Sequence, residues 1–166
     1  MTRLALIAAV ATILAGCGSG SEGGPPVPTT PTPLSHAQFT RAGNGLCTRY
    51  YRQNMPTIKS HPKTLNALAT YLRNAIPPLQ REDAGFRALV PPRKDAGTYR
   101  HLLRVAGLEL REAHSALHAF ETGQVGRGVL IARHLGQLDK PYNSLSRRLG
   151  LTVCGLTRRQ VIARFG

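Results

Sequence analysis

Acidic residues are scarce in this chain: 8 Asp and Glu stand against 22 Lys and Arg among 166 residues, a net charge of +14 at pH 7. Charged residues of both signs reach only 18%, below a globular average of about 25%. Ser115, Ser144 and Ser146 are therefore left with no acid placed to complete a triad, and no Gly-x-Ser-x-Gly elbow presents a nucleophile. Gly123-Gln124-Val125-Gly126-Arg127-Gly128 lacks the strand context and the lysine of a phosphate loop. Nowhere does strict apolar/polar alternation run between turn signals, which excludes a sheet, and there are no internal repeats. What is present is a 42% hydrophobic content, enough for a modest core in a single domain at roughly 100–200 residues per domain.

The longest apolar run, Leu4 to Leu14, is broken only by Thr12. It falls short of the roughly 20 residues of a membrane-spanning helix. Preceded by Arg3 and followed by Ala15-Gly16-Cys17, it has the charged, apolar, small-residue order of an export signal. Leu14-Ala15-Gly16-Cys17 resembles the lipobox of bacterial lipoproteins. The resemblance covers the first 17 residues and implies that the Cys17 thiol receives a diacylglyceryl group and becomes the mature N-terminus. The expected organisation is a signal peptide over 1–16, a lipidated cysteine and tether over 17–34, and a helical domain over 35–166. The tether is glycine- and serine-rich to Gly24 and then Pro/Thr-rich to Pro33, a composition that is flexible first and extended second and supplies no core.

Export removes cytoplasmic nucleic acid from the possible partners and makes disulfides permissible. Three cysteines leave one over, but with Cys17 lipidated, Cys47 and Cys154 remain as a pair and are expected to be bridged, the alternative being two separate buried thiols.

Ser35 and Gln38 form a capping-box pattern ahead of Phe39, Ala42, Leu46 and Tyr50, a first helix expected to end before Pro56. A second helix follows Leu65, Leu68, Ala69, Leu72 and Ile76, with Pro77-Pro78 as its expected stop. Leu79, Phe86 and Leu89 suggest a short third helix, and the long series from Tyr99 to Phe120 another, ended by Gly123. After a turn over Gln124–Gly128, Val129 to Leu149 returns, bent or restarted at Pro141 and closed by Gly150. A second capping box, Thr157 with Gln160, opens a short terminal helix bearing Val161, Ile162 and Phe165, which either docks on the bundle or lies on a membrane. The fold class expected is all-α: an antiparallel bundle of about four main helices plus short ones, the disulfide pinning the first helix to the segment after the last main one. The layout is also similar to small secreted helical lipoproteins of high-GC bacteria, through Leu89-Val90-Pro91-Pro92 and Leu149-Gly150-Leu151-Thr152-Val153-Cys154. That similarity implies location and fold and no particular activity.

His114 and His118 lie four apart on the longest helix, and Glu121 three further on, a set that would bind Zn or another transition metal if His101 or His134 completed the shell. Ser115 stands where a zinc-protease helix needs Glu, and Glu-x-x-His pairs are missing. Solvated or core-edge histidines are the competing explanation. Of the paired acids, Glu82-Asp83 is expected early in a short helix, where the dipole favours it, and Glu109 with Glu112 is expected to point outward.

The basic surplus remains. Lys140, Arg147, Arg148, Arg158, Arg159 and Arg164 follow one another to the C-terminus with no acid between them. On a lipid-anchored domain such a segment would be drawn to anionic headgroups or wall polymers, or to a protein partner. The 18 Arg against 4 Lys also fit a purely compositional bias. The function expected is a non-enzymatic binding or scaffold module, without cofactor, on the outer face of a bacterial membrane; the alternative is a metal-binding or metalloenzyme domain using His114 and His118.

Overall fold

The computed structural model describes residues 32–166. The signal peptide, Cys17 and the tether up to residue 31 lie outside the described residues. The domain is an all-α antiparallel bundle of four long helices and one short one: α1 (His36–Lys59), α2 (Leu65–Arg87), α3 (Ala96–Glu121), α4 (Val125–Arg148) and α5 (Arg158–Phe165), with a single 3-10 turn, Arg93–Asp95, ahead of α3. Both predicted capping boxes form. Ser35 Oγ accepts the Gln38 amide while Gln38 reaches back to the Ser35 backbone, and Thr157 and Gln160 repeat the exchange at the start of α5. Gly123 and Gly150 end α3 and α4 with φ of 74° and 75°, the left-handed conformation that glycine adopts without a Cβ penalty.

Pro56 and Pro77-Pro78 do not end their helices as the sequence suggested, and α4 does not restart at Pro141. Pro56 sits inside α1, Pro77 and Pro78 inside α2, and Pro141 inside α4. The expected second and third helices are therefore one. A proline inside a helix strips its partner from the carbonyl four residues earlier, and here those carbonyls belong to Arg52, Arg73, Asn74 and Gln137, all exposed, so water can satisfy them. Tertiary packing on both sides supplies the rest: Leu72 and Ile76 bury against Ala113 and Ala116 of α3, and beyond the prolines Phe86 enters the main core. The turn before α4 is also tighter than expected, since the helix begins at Val125.

In the main core Phe39, Phe86, Leu102, Leu149 and Leu151 are almost completely buried. Phe39 meets Tyr99 edge to face at 5.1 Å, and the Tyr99 hydroxyl donates to the Phe86 carbonyl. The Cys47–Cys154 disulfide is present, with its Cα atoms 5.2 Å apart, and it ties α1 to the segment after α4. Close approach there needs Gly43, where a Cβ would come within 2.5 Å of Leu151 Cδ2. Asn44 reinforces the seam by accepting from the Val153 amide at 2.8 Å. The bridge closes a separation of 107 residues, and a loop of about that length is worth about 4.7 kcal/mol in the chain-entropy account. α5 docks through Val161, which is buried with Met55 and Ile58 of α1.

Candidate functional site

Seven carboxylates belong to the described domain, and their placement organises its electrostatics. Four are engaged in pairs: Asp95 with His36 at 3.1 Å, Glu121 with Arg73 at 2.8 Å, Asp83 with Arg87 at 2.7 Å and Glu112 with His134 at 2.7 Å. The other three, Glu82, Glu109 and Asp139, line one cavity of about 160 Å³ between the helices. Among the described residues only Arg73 and Arg87 of the lysines and arginines hold a carboxylate, so the outer surface keeps nearly its whole basic complement.

That complement gathers most clearly in an open groove beside α3. Arg87 from the end of α2 and Arg100, Arg104 and Arg111 from α3 line it, over a floor that includes Leu103, Leu108 and Gly107. Residues 100, 104 and 111 recur on one helical face, because three turns take eleven residues. Gly107 leaves the backbone bare beneath two guanidinium groups: a Cβ there would lie 3.1 Å from Arg87 Nη2 and 3.5 Å from Arg111 Nη1. Arg87 is held by Asp83, whereas Arg100, Arg104 and Arg111 have no carboxylate partner among the described residues. Such guanidinium forks suit bidentate contact with phosphate or carboxylate oxygens, and the apolar floor suits the organic part of such a ligand.

The six C-terminal basic residues are not one patch of equivalent charges. Arg158 donates to the Ile58 carbonyl at 3.0 and 2.7 Å and to the Ser60 carbonyl at 2.7 Å, which caps the end of α1. Arg147 donates to the Gly155 carbonyl at 2.7 Å. Arg164 stands 5.5 Å over the Phe165 ring. Lys140, Arg148 and Arg159 are exposed. The histidine set does not converge. His114 Nε2 lies 3.0 Å from Gln80 Nε2, His118 is exposed, and Glu121 is held by Arg73. Among the described residues no group of three or more His, Cys, Asp or Glu side chains is placed to hold a metal ion.

The cavity is the feature the sequence concealed. Glu82 is not near a helix start, since α2 runs unbroken through Pro77-Pro78, and it is buried at 8% exposure. Glu109 does not point outward either, because α3 packs against both α2 and α4 and its covered face is wider than one apolar stripe. Tyr50, Tyr51, Tyr71 and Tyr142 line the same space, with Arg158 beside Asp139. Burial pushes the Glu82 carboxyl well above the usual carboxylate range, with Glu109 and Asp83 adding to the effect. Burial likewise raises Glu109 to about 8, helped by the Asp139 charge. Asp139 is raised by burial and pulled back by Arg158. The tyrosine hydroxyls are all pushed up, by burial first.

No protein-family model, curated protein or solved structure matches this chain.

Proposed function

We propose that this protein is a lipid-anchored, extracytoplasmic binding module, tethered through Cys17, whose basic helical domain engages the anionic phosphate groups of the envelope surface on which it sits. The anchor and the location are inferred from the lipobox resemblance of Leu14-Ala15-Gly16-Cys17. The single observation that carries the binding reading is the segregation of charge: every carboxylate of the described domain is either paired or part of the cavity wall, while four arginines converge on one open groove. Basic groups near an anionic surface are worth about 1 kcal/mol each and act within about one Debye length, near 8 Å at physiological salt. Lys140, Arg148 and Arg159, which are exposed, add to the positive charge of the surface. The metal-binding alternative through His114, His118 and Glu121 has no observation in its favour.

Two measurements test the reading. Cys17→Ala should release the protein from the membrane fraction, and unchanged retention would sink the anchor. The domain from Ser35 onward, which carries its own core, caps and disulfide, should sediment with phosphatidylglycerol vesicles in dilute buffer and detach as salt is added. Indifference to anionic vesicles even at low salt would mean that the basic surplus is compositional.

A further inference from the structure

A site of opposite character opens between the helices. Three carboxylates and four tyrosines surround a cavity of about 160 Å³ in a chain that has only 8 acids and 5 tyrosines altogether. Glu82 is 8% exposed and has no hydrogen-bond or ion-pair partner among the described residues, so its carboxyl oxygens are left to the solvent of the cavity. A carboxyl largely withdrawn from water and without a protein counter-charge favours a cation that enters the cavity beside it. Arg158 does not supply the missing partner, because its guanidinium is spent on the Ile58 and Ser60 carbonyls. We propose that this cavity binds a small organic cation, an alkylammonium or quaternary ammonium group, with Glu82 and Glu109 as its counter-charge and the tyrosine side chains as its aromatic and apolar wall.

Three features select that class of ligand. A bare metal ion needs ligand atoms converging at one point, and among the described residues no such group exists. A tetrahedral ammonium spreads its charge over a larger surface and can be countered by carboxylates set apart around it. Aromatic walls favour the same ligand, since the ring faces attract cations and most strongly where water is excluded. Leu79, Ile58 and Val161 complete the lining with surface suited to alkyl groups. As for size, a cavity of roughly 150 Å³ holds a benzene molecule, which sets the occupant at about six to eight non-hydrogen atoms.

Entry of a cation must also move protons. The groups that face the cavity are Tyr50 and Tyr51 from α1, Tyr71 and Glu82 from α2, Glu109 from α3, Asp139 and Tyr142 from α4 and Arg158 from α5. Burial keeps the Glu109 carboxyl protonated up to about pH 8. A bound cation favours the ionised form, so binding expels that proton and tightens as pH rises.

The full-length protein, purified in non-ionic detergent, should bind tetramethylammonium saturably by calorimetry, whereas the neutral isostere tert-butanol should show no saturation. The affinity should rise at least tenfold between pH 6 and 8.5, over which tetramethylammonium itself does not titrate. Glu82→Gln and Glu109→Gln are close in shape and remove the burden of a buried ionisable carboxyl, so each should keep or raise the melting temperature while weakening tetramethylammonium at least tenfold. Absence of saturable binding at every pH, equal binding of tert-butanol, or an affinity that is flat with pH would each overturn the proposal. Saturation by Ca²⁺ in place of tetramethylammonium would do the same.

Discussion

The groove beside α3 and the cavity between the helices differ in charge, in shape and in how they are held. The groove is open, basic and built from side chains on neighbouring turns of α3 with Arg87 added from α2. The cavity is acidic and aromatic, and it needs residues from all five helices. The contrast teaches that a domain with a large net charge need not be uniformly charged: its few acids are drawn into pairs and into one cavity, where Glu82 is buried, Glu109 half-buried and Asp139 at the exposed rim, which leaves the rest of the surface more basic than the count alone conveys. It also teaches where each region is vulnerable. The groove depends mainly on α3 and the end of α2, whereas the cavity depends on the arrangement of all five helices.

The largest expected effect separates the two through the disulfide. Cys47 and Cys154 join α1 to the segment that leads into α5, and both of these contribute cavity residues. Removing the bridge with Cys47→Ala and Cys154→Ala should cost about 2–5 kcal/mol in chemical denaturation. In hydrogen exchange the loss of protection should concentrate on α1, α5 and the segment between α4 and α5, with α3 the last to exchange. Uniform loss across all helices would erase the distinction between a locally held groove and a globally held cavity.

Next in size is the groove itself. Arg100→Gln, Arg104→Gln and Arg111→Gln together should weaken sedimentation with anionic vesicles roughly a hundredfold, at about 1 kcal/mol for each charge. Stability should change by less than about 0.5 kcal/mol, as expected for exposed positions without partners.

The cavity should show itself in the pH dependence of stability. A carboxyl whose folded pKa is raised favours the protonated native state, so its contribution is intact below its unfolded value of 4.5 and is lost as pH rises towards about 8 for Glu109. Glu109→Gln should therefore flatten the decline of stability over that window and gain roughly 1–3 kcal/mol at pH 8 in urea denaturation. A decline as steep as that of the unsubstituted protein would show that Glu109 is not the titrating group.

The smallest effect expected is at the C-terminal segment. Changing Lys140, Arg148, Arg159 and Arg164 to Gln should weaken vesicle binding by less than about tenfold, because these charges add attraction without forming a groove. If this set outweighs Arg100, Arg104 and Arg111, the anionic surface is met by the opposite choice of residues and the groove assignment fails.

The all-α bundle, both capping boxes, the glycine ends of α3 and α4 and the bridged cysteine pair were legible from periodicity and local signals, because each is fixed by residues close together or by simple pairing. The continuity of α2 through Pro77-Pro78 was not, since local preference there is overruled by Ile76 packing against α3 and by water at the freed carbonyls. The cavity followed the same pattern of concealment. A helix break at Pro77-Pro78 would place Glu82 near a helix start, and Glu109 sits on a flank that only the packing of both neighbours covers. The spacing of Arg100, Arg104 and Arg111 is a readable signal, although a less conspicuous one than the acid-free run from Lys140 onward. No local signal in the sequence tells that Arg158 would be consumed by the end of α1, 100 residues away.

The most direct test of inward-gathered acid and outward-facing base is a carboxyl-carbon NMR titration of the folded domain. Glu109 should titrate near 8, and Glu82 and Asp139 should both titrate above the usual carboxylate range. If all three titrate with ordinary carboxylate values, near 4, the acids are solvated, the interior is not a distinct electrostatic compartment, and the contrast between cavity and groove is contradicted.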